Sequence, residues 1–522
     1  MTVQRGAGFG PGQLSRRHLL ELLAAGGLIT ATGCVNTSNA PSGNSPPTAA
    51  TKGVTFKFPN TGAKLPTGDV KLSWMDSGDT KAFFFQPMAK AYNKKHPNIT
   101  IDYNGSNWNN ITQVLTTGLR NGSAPDVFQL PTQIPVNVAV ANGWIGAFDD
   151  IIPNFAELKK TFPPGIFANG TSDFNGKTYL MTMSGPQRIG NLLLSNKDLA
   201  TKSGLDLESE PISWDQLRAD AKKITKDGAG SYYGLIMGLA QPGGLTGPAS
   251  DMAQMSGLHN GIDAINWRTG EYNHTDPLAA EIIELFLAMR DDGSIHPDSV
   301  SMDAPTARAR MPQGQAGIMF QGAWNIQLWA QQNPNFHLGL QLPAQKDPKT
   351  IWPLVHGPGG SDSWAHSSTT KLGSVIGDIF SFWSTMPAQE DWAIFNGAGD
   401  PPVFIEALQH VKLDALNTKA AKLGSDYTRL GPEPAVRNPD VQQVYLNQIP
   451  PDPTFSDRIV GLYTKQITKS VPQVLKDAKD AAEKSLDDAI AKARKKGAKV
   501  SRDDFVFSDW NPRQSYTSIY KS

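Results

Sequence analysis

Three kinds of side chain recur in this sequence where strands end, and together they suit gripping a solute rather than making or breaking bonds. Trp324 follows the apolar run Ala316 to Phe320 and the small pair Gly322-Ala323, and it opens a segment with helical spacing through Ile326 and Trp329. A large aromatic just past a strand, at the start of a helix, faces a crevice in α/β folds, where ligands sit. It equally suits a gap filler between helix and sheet. Trp108 stands in the polar loop Asn104-Gly-Ser-Asn-Trp-Asn-Asn110, with no obvious apolar partner. Asp76 and Asp79 leave the first strand, Val70 to Trp74, and could accept hydroxyl hydrogens at its end. Gln129 and Gln133 lie at and past the strand Asp126 to Leu130, whereas Asp126 itself, ahead of it, suits a cap or hinge bond. Aromatic faces stack on apolar C–H surfaces, and carboxylates and amides pair with hydroxyls.

The elements that must position these groups alternate. Lys81 to Lys95 has helical spacing through Phe84, Phe85, Met88, Ala89 and Tyr92, His96-Pro97-Asn98 ends it, and Ile99 to Tyr103 reads as a strand. A helix near Ile111 to Leu119 precedes the next strand. This β-α-β-α-β order predicts a mainly parallel sheet with helices on both faces. Val471 to Val500 reads as a long helix with a narrow stripe of Leu475, Ala478, Ala482, Leu486, Ile490 and Ala493, expected to dock by one face on the protein body.

The 522 residues allow two or three domains, and 48 basic against 48 acidic residues give no field favouring nucleic acid. The only cysteine is Cys34, so neither an intrachain disulfide nor a site needing two thiolates is possible. Ser15-Arg16-Arg17-His18-Leu19-Leu20 matches a twin-arginine export signal, and the apolar stretch Leu22 to Ile29 is too short to span a bilayer. Ala31-Thr32-Gly33-Cys34 resembles a lipobox, with Cys34 as the lipid-anchored first residue after removal of residues 1–33. Residues 34–53, rich in Ser, Thr, Asn, Pro and Ala, read as a flexible tether.

Motifs for catalysis and cofactors are missing. There is no His-Glu-x-x-His, Gly-x-Ser-x-Gly or calcium loop. Gly170 to Gly176-Lys177-Thr178 has five residues between glycines where a phosphate loop needs four, and the chain continues as a strand. Tyr232-Tyr233 points to opposite faces of a strand rather than to a shared iron, and His356 and His366 lack companions for a metal. We expect no catalytic residue, no metal site and no cofactor.

A set of collinear motifs is similar to the bacterial extracellular solute-binding proteins of the carbohydrate-importer type. They are FFFQPMAKAYNKKHPNITIDY, GLRNGSAPDVFQL, Asn142-Gly-Trp-Ile with Phe148-Asp-Asp, Phe174-Asn-Gly-Lys-Thr-Tyr179, Leu193-Leu-Ser-Asn-Lys-Asp-Leu199, Ser213-Trp-Asp-Gln-Leu217 and Gly314 to Trp324. The resemblance implies an α/β, type II periplasmic-binding-protein-like fold, with two lobes and a ligand cleft between them. The first lobe would comprise residues 54–187 with 340–395, and the second 190–338 with 397–522. It implies that Trp324 stacks on a sugar, that Gln187 and Arg188 lie near the first crossover, and that Trp364 lies where a later crossing forms the site. Arg188 would bind a ligand hydroxyl or acid group, or tie the lobes by a salt bridge. The implied function is the binding of a mono- or oligosaccharide by hinge closure. The protein would be a monomer held by its lipid outside the cytoplasmic membrane, delivering the sugar to the permease of an ABC importer. Alternatives are the same fold holding a polyamine, metal or sugar acid, and a secreted carbohydrate-active enzyme, which needs two carboxylates about 5–10 Å apart across one cleft.

Overall fold

The computed structural model describes residues 54–520, Thr132 excepted; the export signal, Cys34 and the tether lie outside them. Strands β1 (Val70–Asp76), β2 (Ile99–Gly105) and β3 (Val127–Gln129) are followed by a small hairpin, β4 (Asp173–Phe174) and β5 (Lys177–Thr178). Then come β6 (Met181–Ser184), β7 (Leu192–Asn196), β8 (Tyr233–Ile236), β9 (Ala316–Gln321), β10 (Leu338–Gln341), β11 (Leu354–His356), β12 (Asp362–His366) and β13 (Thr428–Leu430). Two principal sheets result, one ordered β2-β1-β3-β12-β6 and the other β10-β7-β9-β8.

The expected parallel pairing holds for β1 with β2 and β3, and for β8 with β9. Elsewhere it is corrected: β12 runs antiparallel to both β3 and β6, and β7 antiparallel to both β9 and β10. The reason is topological. A helix between two strands returns the chain to the starting edge and enforces parallel pairing. β6, β7, β10 and β12 instead adjoin the connections that carry the chain from one sheet to the other, and such strands enter from the opposite end.

The chain crosses between sheets at 185–191, 342–361 and 397–414. After the second crossing the helices Gly373–Trp383 and Met386–Asn396 pack into the core of the first sheet, an aromatic interior built from Trp74, Phe85, Trp364, Phe380, Trp383 and Trp392. After the third, the helix Ala415–Tyr427 joins the second sheet's side. The long helix spans Val471–Lys495, stopping short of the Val500 expected from the sequence because Gly497, at φ +96°, turns the chain. It buries Val474, Leu475, Ala478, Ala482, Leu486, Ala489, Ile490 and Ala493 along one stripe and leaves its charges outside, while Lys492, Arg494 and Lys495 complement the helix dipole in the last turn. Among the described residues no helix is long and apolar enough to cross a membrane.

Candidate functional site

The loop leaving β1 is built around a buried carboxylate. Asp76 accepts the Gly78 N–H at 2.8 Å, the Tyr103 hydroxyl at 2.5 Å and the Trp74 indole N–H at 3.3 Å. Burial raises its pKa to about 6 against the pull of these donors. Asp76 is thus turned inward to shape the loop. Gln129 is buried beside it, its Oε1 accepting the Ser77 N–H at 2.9 Å and its Nε2 donating to Asp362 at 2.7 Å. Gly78 lies so close to Gly105 that a Cβ on Gly105 would sit 2.9 Å from the Gly78 Cα. This clamp holds the next residue, Asp79, at φ +51°, a left-handed conformation unusual outside glycine. The Asp79 carboxylate meets the Arg308 guanidinium at 2.8 Å. Arg308 belongs to the helix Ala304–Arg310, which runs just ahead of β9 in the second sheet, so this ion pair bridges the lobes.

At the crossings four charges converge. Lys81 Nζ stands 3.2 Å from Asp400 and 3.6 Å from Asp362, while Arg188 Nη1 is 3.1 Å from Asp362 and also contacts Asp400. Two cations and two anions cancel. Burial pushes the Asp362 carboxyl up, but Lys81 and Arg188 outweigh it and leave its pKa below the ordinary value. Burial likewise opposes the charge on Lys81 and Arg188, yet Asp362 and Asp400 raise both pKa values.

The Arg188 guanidinium also lies over the Trp324 ring, 5.3 Å from its centroid. Trp324 begins the helix Trp324–Gln332, and its indole N–H donates to Gln321 Oε1 at 3.2 Å. A Cβ on Gly322 would fall 2.0 Å from Trp324 Cζ3 and 2.3 and 2.4 Å from the two ring atoms beside it. The six-membered ring therefore folds back flat over its own turn, which only glycine permits. From the third crossing Gly399 presses on the Trp324 backbone, where a Cβ would come within 2.4 Å of N and Cα.

Next to Gln321, at the ends of β8 and β9, a small cavity of about 60 Å³ is lined by Asn191, Gln241, Gly238, Gly244, Met319 and Gln321, among others. That is room for one or two waters, well short of the ~300 Å³ of a typical small-molecule site. The amides in its wall are oriented by their internal partners. Asn191 Nδ2 donates to Asp251 at 2.8 Å, and Gln241 Oε1 accepts the Ala304 N–H at 3.0 Å. With Trp324 fixing Gln321 in the same way, the polar atoms turned away from those bonds are the Asn191 carbonyl and the two glutamine amino groups.

Of the residues expected from the sequence, Arg188 and Trp324 come together, and Asp79 reaches across to the second lobe. Trp108 starts the helix Trp108–Asn121 with 42% of its surface exposed. Gln133 is exposed, 3.4 Å from the Thr112 hydroxyl, and Gln187 is exposed on the first crossing with its carbonyl against Gly424. Trp364 is corrected: it is fully buried in the first sheet, among Phe85, Trp383 and Trp392, because its position in β12 points it into the aromatic core. Asp76 and Gln129 are likewise buried supports, and Trp74 is core. Tyr232 is buried with Lys202 over its ring, and Tyr233 packs against His296. Among the described residues no group of three His, Cys, Asp or Glu side chains could hold a metal ion. Lys81, Asn191, Gln241, Arg308, Asp362 and Asp400 were not foreseen; of these, Lys81 stood at the start of a helix read from the sequence, with no role at the site assigned to it.

Two α/β lobes joined by three crossings, with an aromatic and a set of oriented amides beside the junction, define a two-lobe binding protein. The chain belongs to the bacterial extracellular solute-binding protein family, whose profile matches residues 78–409. A Brucella abortus (strain 2308) binding protein is 24% identical over 431 residues, spanning 82% of this chain and 92% of that protein. An ABC transporter extracellular-binding protein of Pyrococcus horikoshii is 25% identical over 319 residues, 60% of this chain and 65% of the other. The fold is shared with an ABC transporter solute-binding protein of Thermotoga lettingae bound with α-D-tagatose (TM-score 0.61, 17% identity, covering 80% of this chain and 99% of that one). It is also shared with a Listeria monocytogenes ABC substrate-binding protein in complex with cycloalternan (TM-score 0.58, 19% identity, 80% and 99%).

Proposed function

We propose that the protein binds a mono- or oligosaccharide between its lobes and delivers it to the permease of an ABC importer. The observation that carries this reading is the half-buried Trp324 beside amides whose outward atoms include both hydrogen-bond donors and an acceptor. A sugar has the matching parts: apolar C–H faces for the indole, and hydroxyls that donate and accept at once. Trp108, Gln133 and Gln187, exposed on the first lobe and first crossing, are the candidates for further contacts. The solved relatives with tagatose and cycloalternan support the same ligand class. The lobes would be residues 54–187 with 340–395, and 190–338 with 397–522.

Mechanism follows from closure. A ligand touching both lobes stabilises the closed form by its differential affinity for it, and closure makes the surface that a permease recognises. The Asp79–Arg308 pair bridges the lobes as they stand in this structure. The protein acts as a monomer without catalysis. Asp362 and Asp400, the two carboxylates that meet at one point, are buried and both are already taken up in ion pairs with Lys81 and Arg188, so neither is placed to protonate a glycosidic oxygen. Export through the twin-arginine signal and lipid attachment at Cys34 would hold the chain outside the cytoplasmic membrane.

A thermal-shift panel of mono- and oligosaccharides, with polyamines and ferric ion alongside, tests the reading. Ligand binding to the folded state raises the melting temperature. A shift with at least one carbohydrate is expected; a shift with a polyamine or iron and none with any carbohydrate would overturn it.

A further inference from the structure

We infer that the solute is uncharged: the site takes neutral saccharides and rejects both sugar acids and amino sugars. This rests on the saccharide reading above and follows from where the charges around the junction are already committed. Arg188 is the cation nearest Trp324, yet its guanidinium is shared between Asp362 and Asp400, with Nη2 also directed at the Ser361 carbonyl at 3.5 Å. Lys81 answers the same two carboxylates. On the helix Ala304–Arg310, Arg308 is taken by Asp79 and Arg310 by Asp298 at 2.7 Å. Asp76 is enclosed by Tyr103, Trp74 and the loop it supports. Behind the cavity, the Asp251 carboxylate takes the Asn191 amide.

The cavity wall itself carries no ionisable side chain; its polar members are Asn191, Gln241 and Gln321. A carboxylate on the part of the ligand that reaches this wall would thus meet no free cation there. To recruit Arg188 it would have to strip that residue from Asp362 and Asp400 and leave them buried with Lys81 alone, an exchange that disfavours binding. A ligand ammonium faces the mirror problem, since Asp79, Asp362 and Asp400 already have a cation and Asp76 a set of hydrogen-bond donors, while Asp251 stands behind the cavity wall with the Asn191 amide on it. Hydroxyls need neither, because an amide oxygen or amino group pairs with them without displacing a charge.

The test is calorimetric titration of the full chain with the neutral saccharide that gives the largest thermal shift, its uronic-acid counterpart and its amino-sugar counterpart, at low and high salt. The neutral sugar is expected to bind with an affinity that salt leaves within about twofold. The charged counterparts are expected to bind at least about tenfold more weakly. A charged counterpart that binds as tightly as the neutral sugar overturns the inference while leaving the saccharide reading intact. If the amino sugar is that ligand, Asp251→Asn identifies the carboxylate responsible by abolishing the gain. Tight binding of spermidine with no carbohydrate binding at all overturns the saccharide reading and this inference with it.

Discussion

The guanidinium of Arg188 lies 5.3 Å from the ring centroid of Trp324 while its Nη1 reaches Asp362 and Asp400. One side chain therefore joins the charge cluster at the crossings to the aromatic at the mouth of the second lobe. Arg188→Met removes both links. It leaves two buried carboxylates facing Lys81 alone, which should cost about 3–5 kcal/mol in urea unfolding. Arg188→Lys restores the charge without the planar contact to two acids and the ring, and should recover part of that loss. A loss below about 1 kcal/mol for the methionine variant would show that the cluster tolerates an unpaired acid.

The Asp79–Arg308 pair is a different kind of contact. Asp79 is 42% exposed in its side chain, so the pair stabilises the fold by no more than about 1 kcal/mol. Its backbone, however, is held at φ +51°, a conformation that costs on the order of 1–3 kcal/mol outside glycine. Asp79→Gly removes the strain together with the bridge. We expect a variant at least as stable as the parent whose unliganded form is more open, read as a larger radius of gyration in small-angle X-ray scattering. Unchanged scattering for both Asp79→Gly and Arg308→Met would mean the pair does not hold the lobes together.

Gly322 is the floor on which the Trp324 ring rests. An added methyl group would enter the ring, so Gly322→Ala must lift the indole and break its 3.2 Å bond to Gln321. Saccharide affinity should fall by at least about tenfold. The change in tryptophan fluorescence on ligand addition should shrink in parallel, while unfolding midpoints fall only modestly. Retention of full affinity would mean that Trp324 is not a ligand contact.

Local periodicity made the fold's opening legible: the helix from Thr80 and strands β1 to β3 repeat the β-α-β-α-β order read from the sequence. What periodicity could not supply was strand direction after the first crossing, because that depends on which sheet a segment joins. The site divides in the same way. The position of Trp324, at the start of a helix just past a strand, was legible because Gly-x-Trp marks a turn after an apolar run. Trp364 misled because the family resemblance alone set it at a crossing, whereas β12 begins at Asp362 and places the ring inside. Lys81, Asp362 and Asp400 were invisible for a simpler reason. Their partners lie up to 319 residues away in the chain, and no spacing rule reaches so far.

Buried carboxyls, Asp76 and Asp251 among them, give the stability a pH dependence opposite to the usual acid loss. Burial raises both Asp76 and Asp251 from an ordinary 3.8 to about 6, against hydrogen bonds from Tyr103 and Asn191 that pull the other way. The folded state therefore holds these protons more tightly than the unfolded chain. Their contribution is complete below the unfolded value of 3.8 and is lost as pH rises through about 6. Asp251→Asn tests this cleanly, because the amide keeps an oxygen to accept from Asn191 and cannot ionise. At a pH of about 8 the variant should melt higher than the parent, and at a pH of about 4 the two should converge. Equal melting temperatures at both pH values would show that Asp251 titrates in the folded protein as it does in the unfolded chain.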